Sequence, residues 1–217
     1  MTASKLTPFV KRKSKMSISS KVLNKIKEKK ILVFGASGDL ASRIYNSEIK
    51  RKTKLFEHSF RISADKPHIN KSEKFALNKK INSIKPDLIL YLSSPKIFYG
   101  TFKKNNNIYY FYKSIFATYF LMLLKIVIKS KIKCKIFYPS TIFLNNIKKF
   151  KRLECYLKAK ADGERICRLK GYSSIVYKYR IPQLKSRSNY NMLGFYEGED
   201  LSVIDKYYED FFNKISS

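Results

Sequence analysis

The stretch ILVFGASGDLASRIY, residues 31–45, decides how this chain is read. A β-prone apolar run, KILVFG (30–35), ends on Gly35, Gly38 follows, and from Asp39 onward Leu40 and Ile44 recur at helical spacing. An uninterrupted apolar run of this kind suits a strand buried on both faces, as in a parallel sheet. Gly35 permits a tight turn. Gly38 lets backbone N–H groups approach a phosphate, and Ala41 is small enough for the helix to lie close to the strand. No Gly-Lys-Ser/Thr follows, so this is not a Walker loop. A plain strand–turn–helix uses the same glycines, so the remaining sequence has to separate the two.

Working outward, three more apolar strands are predicted: DLILYLSSP (87–95), KCKIFYPSTIF (133–143, broken by Pro139) and SSIVYKYRIP (173–182). Residues 51–70 hold one strand or two short ones. Helices are predicted over 21–29, over 72–84 and over 109–129. In the second, Ser72 is the N-cap and Phe75, Leu77, Ile81 and Ile84 lie to one side. Two more are predicted over 152–171, closed by Gly171, and over 201–215. Gly163, inside the helix over 152–171, reads as a mild cost. Strands alternating with helices give an α/β fold: a Rossmann-type, doubly wound parallel sheet in a single domain. Gly35, Ser93, Ser94, Ser140, Thr141 and Arg180 then fall at strand C-terminal ends, the edge where ligands bind in this class. The organisation expected is a basic arm with a short helix (1–28), a nucleotide-binding domain (29–185) and a short C-terminal tail with a helix (186–217).

The chain has 217 residues and a net charge of +30, with 46 Lys+Arg against 16 Asp+Glu. Such an excess attracts polyanions and phosphorylated metabolites. The basic residues are spread along the sequence and no nucleic-acid module is present, so nucleic acid is not the partner expected. Three scattered cysteines and two histidines give no zinc pattern, and free thiols suit a reducing, cytoplasmic setting. The apolar run IFATYFLMLL (115–124) is too short to span a bilayer and reads as a buried helix.

Tyr156 and Lys160 lie four apart, on one face of the helix that follows the strand ending YPST. A neighbouring ammonium favours a phenolate, so such a tyrosine can exchange a proton with a hydroxyl or carbonyl. Ser140 or Thr141 can hydrogen-bond the substrate oxygen.

With these residues in view, the chain resembles the short-chain dehydrogenase/reductase superfamily, and within it the extended, NAD-dependent epimerase/dehydratase branch. VFGASGDLA resembles the glycine fingerprint, PDLILYLSSP the D-x-V-I-H-x-A-A strand, and KIFYPSTIF the strand bearing the catalytic Ser or Thr. YLKAKADGE resembles the Y-x-x-x-K helix and VYKYRIP the strand after it. The resemblance covers roughly 29–185 and implies NAD or NADP as cofactor and a nucleotide sugar as substrate, with a homodimer through the helices 109–129 and 152–171. It places Gly35, Ser37, Gly38, Asp39 and Leu40 in the cofactor turn, Ser93 and Ser94 near the nicotinamide-side ribose, and Lys160 on that ribose. Tyr156 is the implied acid/base. Arg43 or Arg61 would suit a 2′-phosphate, whereas Asp65 is the nearest acidic candidate for a ribose or adenine contact. Ser114 stands where the family often has Asn, and only about 35 residues follow Pro182, so the substrate region is reduced.

Overall fold

The computed structural model describes residues 16, 18–60, 62, 69–95, 97, 106–185 and 198–216. Asp65, Arg61 and the first fifteen residues of the arm lie outside this set, as does the whole 186–197 segment.

Five parallel strands form one sheet in the order β2-β1-β3-β4-β5. They are β1 (Lys30–Phe34), β2 (Lys54–His58), β3 (Leu88–Tyr91), β4 (Lys135–Thr141) and β5 (Val176–Ile181). Side chains alternate across it. Ile31, Val33, Leu88, Leu90 and Phe137 meet one face, covered by α1 (Ser20–Ile26), α2 (Asp39–Tyr45), α3 (Ile49–Lys52) and α8 (Ile204–Asn213). Leu32, Phe34, Ile89, Tyr91, Ile136 and Tyr138 meet the other face. That face is covered by α4 (Lys71–Ile84), α6 (Phe120–Lys129) and α7 (Glu154–Cys167). Burial on both sides explains why β1 and β3 carry no polar alternation. The terminal helices do not stand apart from the domain: Val22 and Ile26 of α1 and Tyr208, Phe211 and Phe212 of α8 are fully buried in one core.

Several local expectations change. The cap of α4 is Asn70, which accepts from Glu73 N at 2.8 Å, and not Ser72. Leu77, Ile81 and Ile84 are buried, but Phe75 is 70% exposed. It precedes Leu77 by two residues, about 200° around the helix, and so faces water. Pro139 does not break β4. Lys135 N donates towards β3 (to Asp87 O) and Ile136 N towards β5 (to Ile175 O), so by alternation position 139 faces β3. The β3 ladder has already ended at Phe137, while pairing with β5 continues to Thr141. The missing proline N–H therefore costs no ladder bond.

Residues Asn106–Lys129 run as one helical rod: α5 (Asn106–Lys113), a π-turn (Ser114–Tyr119) and α6. Its 24 residues are long and apolar enough to cross a membrane, yet 67% of its most apolar window is buried inside this fold.

Candidate functional site

After β1 the chain moves to one side to form β2, then crosses back to form β3 on the other side of β1. The C-terminal ends of β1 and β3 thus flank the point where the winding reverses, the usual ligand crevice of an open parallel sheet. Gly35 sits there at φ 73, a left-handed conformation that favours glycine. A Cβ on it would lie 2.9 Å from Leu92 C and Ser93 Cα, so the turn after β1 rests directly on the exit of β3. Gly38 N donates to Gly35 O at 2.9 Å and Ser42 N to Gly38 O at 3.0 Å, which closes the turn and starts α2. Ser37 is exposed, Gly38, Asp39 and Leu40 are half-buried, and beside them Ser93 is half-buried and Ser94 exposed. Sequence-adjacent groups from two separate motifs thus share one crevice.

Arg43 has a different partner from the one expected. It is buried and forms a two-pronged ion pair with Asp205 of α8, its Nε 2.9 Å from Asp205 Oδ1. That contact ties α2 to α8 and takes up the guanidinium. The exit of β2, where an acidic ribose contact is expected, carries His58 instead. Its ring is buried and its Nε2 lies 2.7 Å from the Tyr119 hydroxyl. Burial, with Lys80 nearby, holds that imidazole down at about 4, so it is neutral at physiological pH.

The second half of the site hangs on β4 and α7. Beyond Phe137 the carbonyl of Pro139 also points to the side β3 has vacated, and Lys160 Nζ donates to it at 2.8 Å. The Lys160 ammonium lies 3.9 Å from the centre of the Phe116 ring and 5.9 Å from that of Tyr156. Lys160 is buried, and no carboxylate lies within ion-pair distance of it among the described residues. Burial holds it down at about 7. Tyr156 is wedged edge-on between Tyr112 and Phe116, ring centres 5.6 and 5.5 Å away. Burial first, then Tyr112, pushes its phenol above the ordinary tyrosine value. The expected lowering by Lys160 is therefore reversed in the unliganded chain, because desolvation opposes the charged form of both groups.

Ser140 is also engaged: its hydroxyl donates to Glu164 Oε1 at 2.7 Å. Glu164 is buried and accepts from Arg180 (2.8 Å to each oxygen), Lys178 (3.0 Å) and Arg168 (3.2 Å). Despite its burial, these donors hold it down at about 2. Thr141 Oγ1 accepts from Phe143 N at 3.3 Å and opens the 3-10 segment Ile142–Leu153. Of the two hydroxyls, Thr141 is the one that Glu164 does not hold.

Gly163 is the residue the sequence reading undervalued. In a π-turn, bonds reach five residues ahead and carbonyls are left without their usual partners. Here Tyr91 OH donates to Ile115 O at 2.6 Å and Tyr138 OH to Phe116 O at 2.9 Å. A Cβ on Gly163 would collide with the Tyr138 phenol and lie 2.6 Å from Phe116 O. The glycine thus lets α7 approach β4 and the π-turn, and sets where Lys160 and Tyr156 stand. The signal was present: Tyr156, Lys160 and Gly163 share one helix face.

No protein-family model and no curated protein sequence matches the chain. Solved structures do. A dTDP-4-dehydrorhamnose reductase from Bacillus anthracis, in complex with NADP, matches with a TM-score of 0.51 at 13% identity over 72% of this chain. WbmH from Bordetella bronchiseptica, in complex with NAD+, matches at 0.52 and 14% identity over 72%. The chain spans about half the length of these proteins, 54% and 56%. A short-chain dehydrogenase from Shigella flexneri matches at 0.63 and 11% identity, covering 88% of this chain and 87% of that one. The fold is therefore the Rossmann-type fold of short-chain dehydrogenases and of reductases of the epimerase/dehydratase type.

Proposed function

We propose that this chain binds NAD or NADP at the crevice between the exits of β1 and β3 and works as an oxidoreductase on a polar substrate of the nucleotide-sugar class. The observation that carries this reading is the seat of the Gly35 turn on Leu92 and Ser93, a contact that admits no side chain at position 35. The residues present fit such a group. The Gly35–Gly38 turn offers backbone to a diphosphate, and Ser93 and Ser94 offer hydroxyls beside it. Lys160 is a buried amine whose one hydrogen-bonded partner among the described residues is a backbone carbonyl, so it has donors left for ribose hydroxyls.

A bound nicotinamide supplies hydride exchange. What the chain supplies is placement and a proton. Ser140 or Thr141 holds the substrate oxygen, and Tyr156 gives or takes the proton at that oxygen. Lys160, charged on contact with the ligand, draws the phenol pKa down from its raised value. Ser140, on the sheet face that α7 covers, is fixed by its bond to Glu164 and keeps lone pairs for a further contact. Asp39 brings a carboxylate to the turn, so Asp39→Asn should tighten dinucleotide binding.

The test is calorimetric titration with each of the four nicotinamide dinucleotides, followed by turnover on a nucleotide-sugar panel read by nicotinamide absorbance. Binding of at least one dinucleotide is expected, with turnover lost by several orders of magnitude in Tyr156→Phe while affinity stays within a few-fold. Binding of none refutes the reading. A second reading, a dinucleotide-binding protein without catalysis, is favoured by the wedging of Tyr156 between Tyr112 and Phe116. Binding without turnover, indifferent to Tyr156→Phe, would select it.

A further inference from the structure

The positive charge, dispersed along the sequence, is gathered by the topology. In an all-parallel sheet every segment leading into a strand reaches the same edge, opposite the ligand crevice. Here the row of strand starts is tied laterally: Lys54 N donates to Lys29 O, Asp87 N to Lys30 O and Lys135 N to Asp87 O. The segments that feed this edge are 27–29, 85–87, 130–134 and 168–175, with Lys52 and Thr53 before β2. Their acids are Glu28 and Asp87, and both are taken: Glu28 pairs with Lys54 at 3.2 Å, and Asp87 with Lys29 at 3.6 Å and with Lys30 N at 2.8 Å. Exposed lysines 85, 129, 131, 133 and 170 remain without a carboxylate within ion-pair distance among the described residues. Attraction to the negative C-terminal ends of helices accounts for Lys129. It does not account for Lys133 and Lys170, which lie beyond the helix ends.

The same edge exposes two large aliphatic side chains, Ile128 at 47% and Leu169 at 49%. They flank the adjacent connections into β4 and β5, which Lys135 stitches together through Ser174 O at 3.1 Å. Lysines around exposed aliphatic side chains, at the strand-start end of a sheet, match a surface with anionic headgroups over an apolar layer. Single-stranded nucleic acid is bound through stacking aromatics, and the large exposed apolar residues here are aliphatic. We propose that the strand-start edge of this protein docks on an anionic lipid bilayer, with Leu169 and Ile128 entering the headgroup layer and the lysines pairing with lipid phosphates and carboxylates. The ligand crevice then faces away from the membrane. This proposal is independent of the dinucleotide reading.

The chain contains no Trp, so Leu169→Trp gives a single fluorescent reporter in the full protein. On vesicles of phosphatidylcholine with phosphatidylserine its emission should shift to the blue, with no shift on phosphatidylcholine alone. Replacing Lys129, Lys133 and Lys170 by Gln and Lys131 by Asn, which tolerates the left-handed φ of 53 at that position, should weaken co-sedimentation with anionic vesicles by about a hundredfold or more, from roughly fivefold per lysine. Neutralising four exposed lysines of the opposite edge (Lys71, Lys74, Lys148 and Lys149) should cost less than a tenth of that. Equal losses in the two sets would overturn the proposal. So would an unshifted tryptophan, or an edge-dependent affinity for duplex or single-stranded RNA with none for vesicles.

Discussion

Gly163→Ala puts opposing effects in competition at one atom. Inside α7, alanine gains about 1 kcal/mol over glycine from helix propensity alone. Against this, the new methyl meets the Tyr138 phenol and stands 2.6 Å from Phe116 O, a backbone atom that cannot swing away. Overpacking of this kind costs about 1–3 kcal/mol. If Tyr138 moves to escape, its bond to Phe116 O breaks and a buried hydroxyl and carbonyl go unpaired, another 1–3 kcal/mol or so. The net expectation is a loss of about 2–4 kcal/mol, measured by urea denaturation with the m-value unchanged. For a chain of this size that lowers the melting temperature by on the order of 10 °C. Tyr138→Phe removes the nearest obstacle, so Gly163→Ala should cost at least about 1 kcal/mol less in that background. A Gly163→Ala protein as stable as the parent, or more so, would refute the idea that this glycine admits α7 to the sheet. Dinucleotide affinity should fall with stability, since the same helix carries Lys160.

Two further predictions concern charge. Lys160 is held down at about 7 in the fold against 10.5 in an unfolded chain, so the unfolded state binds the extra proton between those values. Its burial therefore destabilises the unliganded protein fully below pH 7, and the penalty lifts as pH rises from 7 towards 10.5. Lys160→Met should accordingly be the more stable protein in acid, with the advantage shrinking across that window; a constant difference in denaturation profiles would contradict it. Arg43→Ala should cost about 3–5 kcal/mol, because it strands Asp205 in a nearly buried place, while leaving any preference between NAD and NADP unmoved. A selective loss of NADP affinity would return Arg43 to the cofactor.

The elements legible in the sequence were those set by local chemistry. β1 and β3 are short apolar runs ended by Gly35 and by a serine pair, and nothing remote is needed to specify them. Arg43 shows the opposite case. Its partner Asp205 lies 162 residues away, and only the docking of α8 beside α2 brings them together. Ser140 was legible as a strand-end hydroxyl, but its capture by Glu164 depends on α7 lying over β4 and β5. The pKa order of Tyr156 and Lys160 also escaped, because spacing records proximity and not burial. Phe75 was misplaced by counting apolar residues and not their angle around α4.

Pro139 has a consequence for how the sheet behaves under strain. A strand margin with a free N–H is an invitation to any passing backbone, including the neighbour strand, to lengthen the ladder and zip the gap closed. The proline withholds that donor on the side facing β3, and Lys160 already occupies the adjacent carbonyl. The fork between the two strands is thus kept from healing, so whatever enters it competes with solvent and one amine, and never with the protein's own main chain.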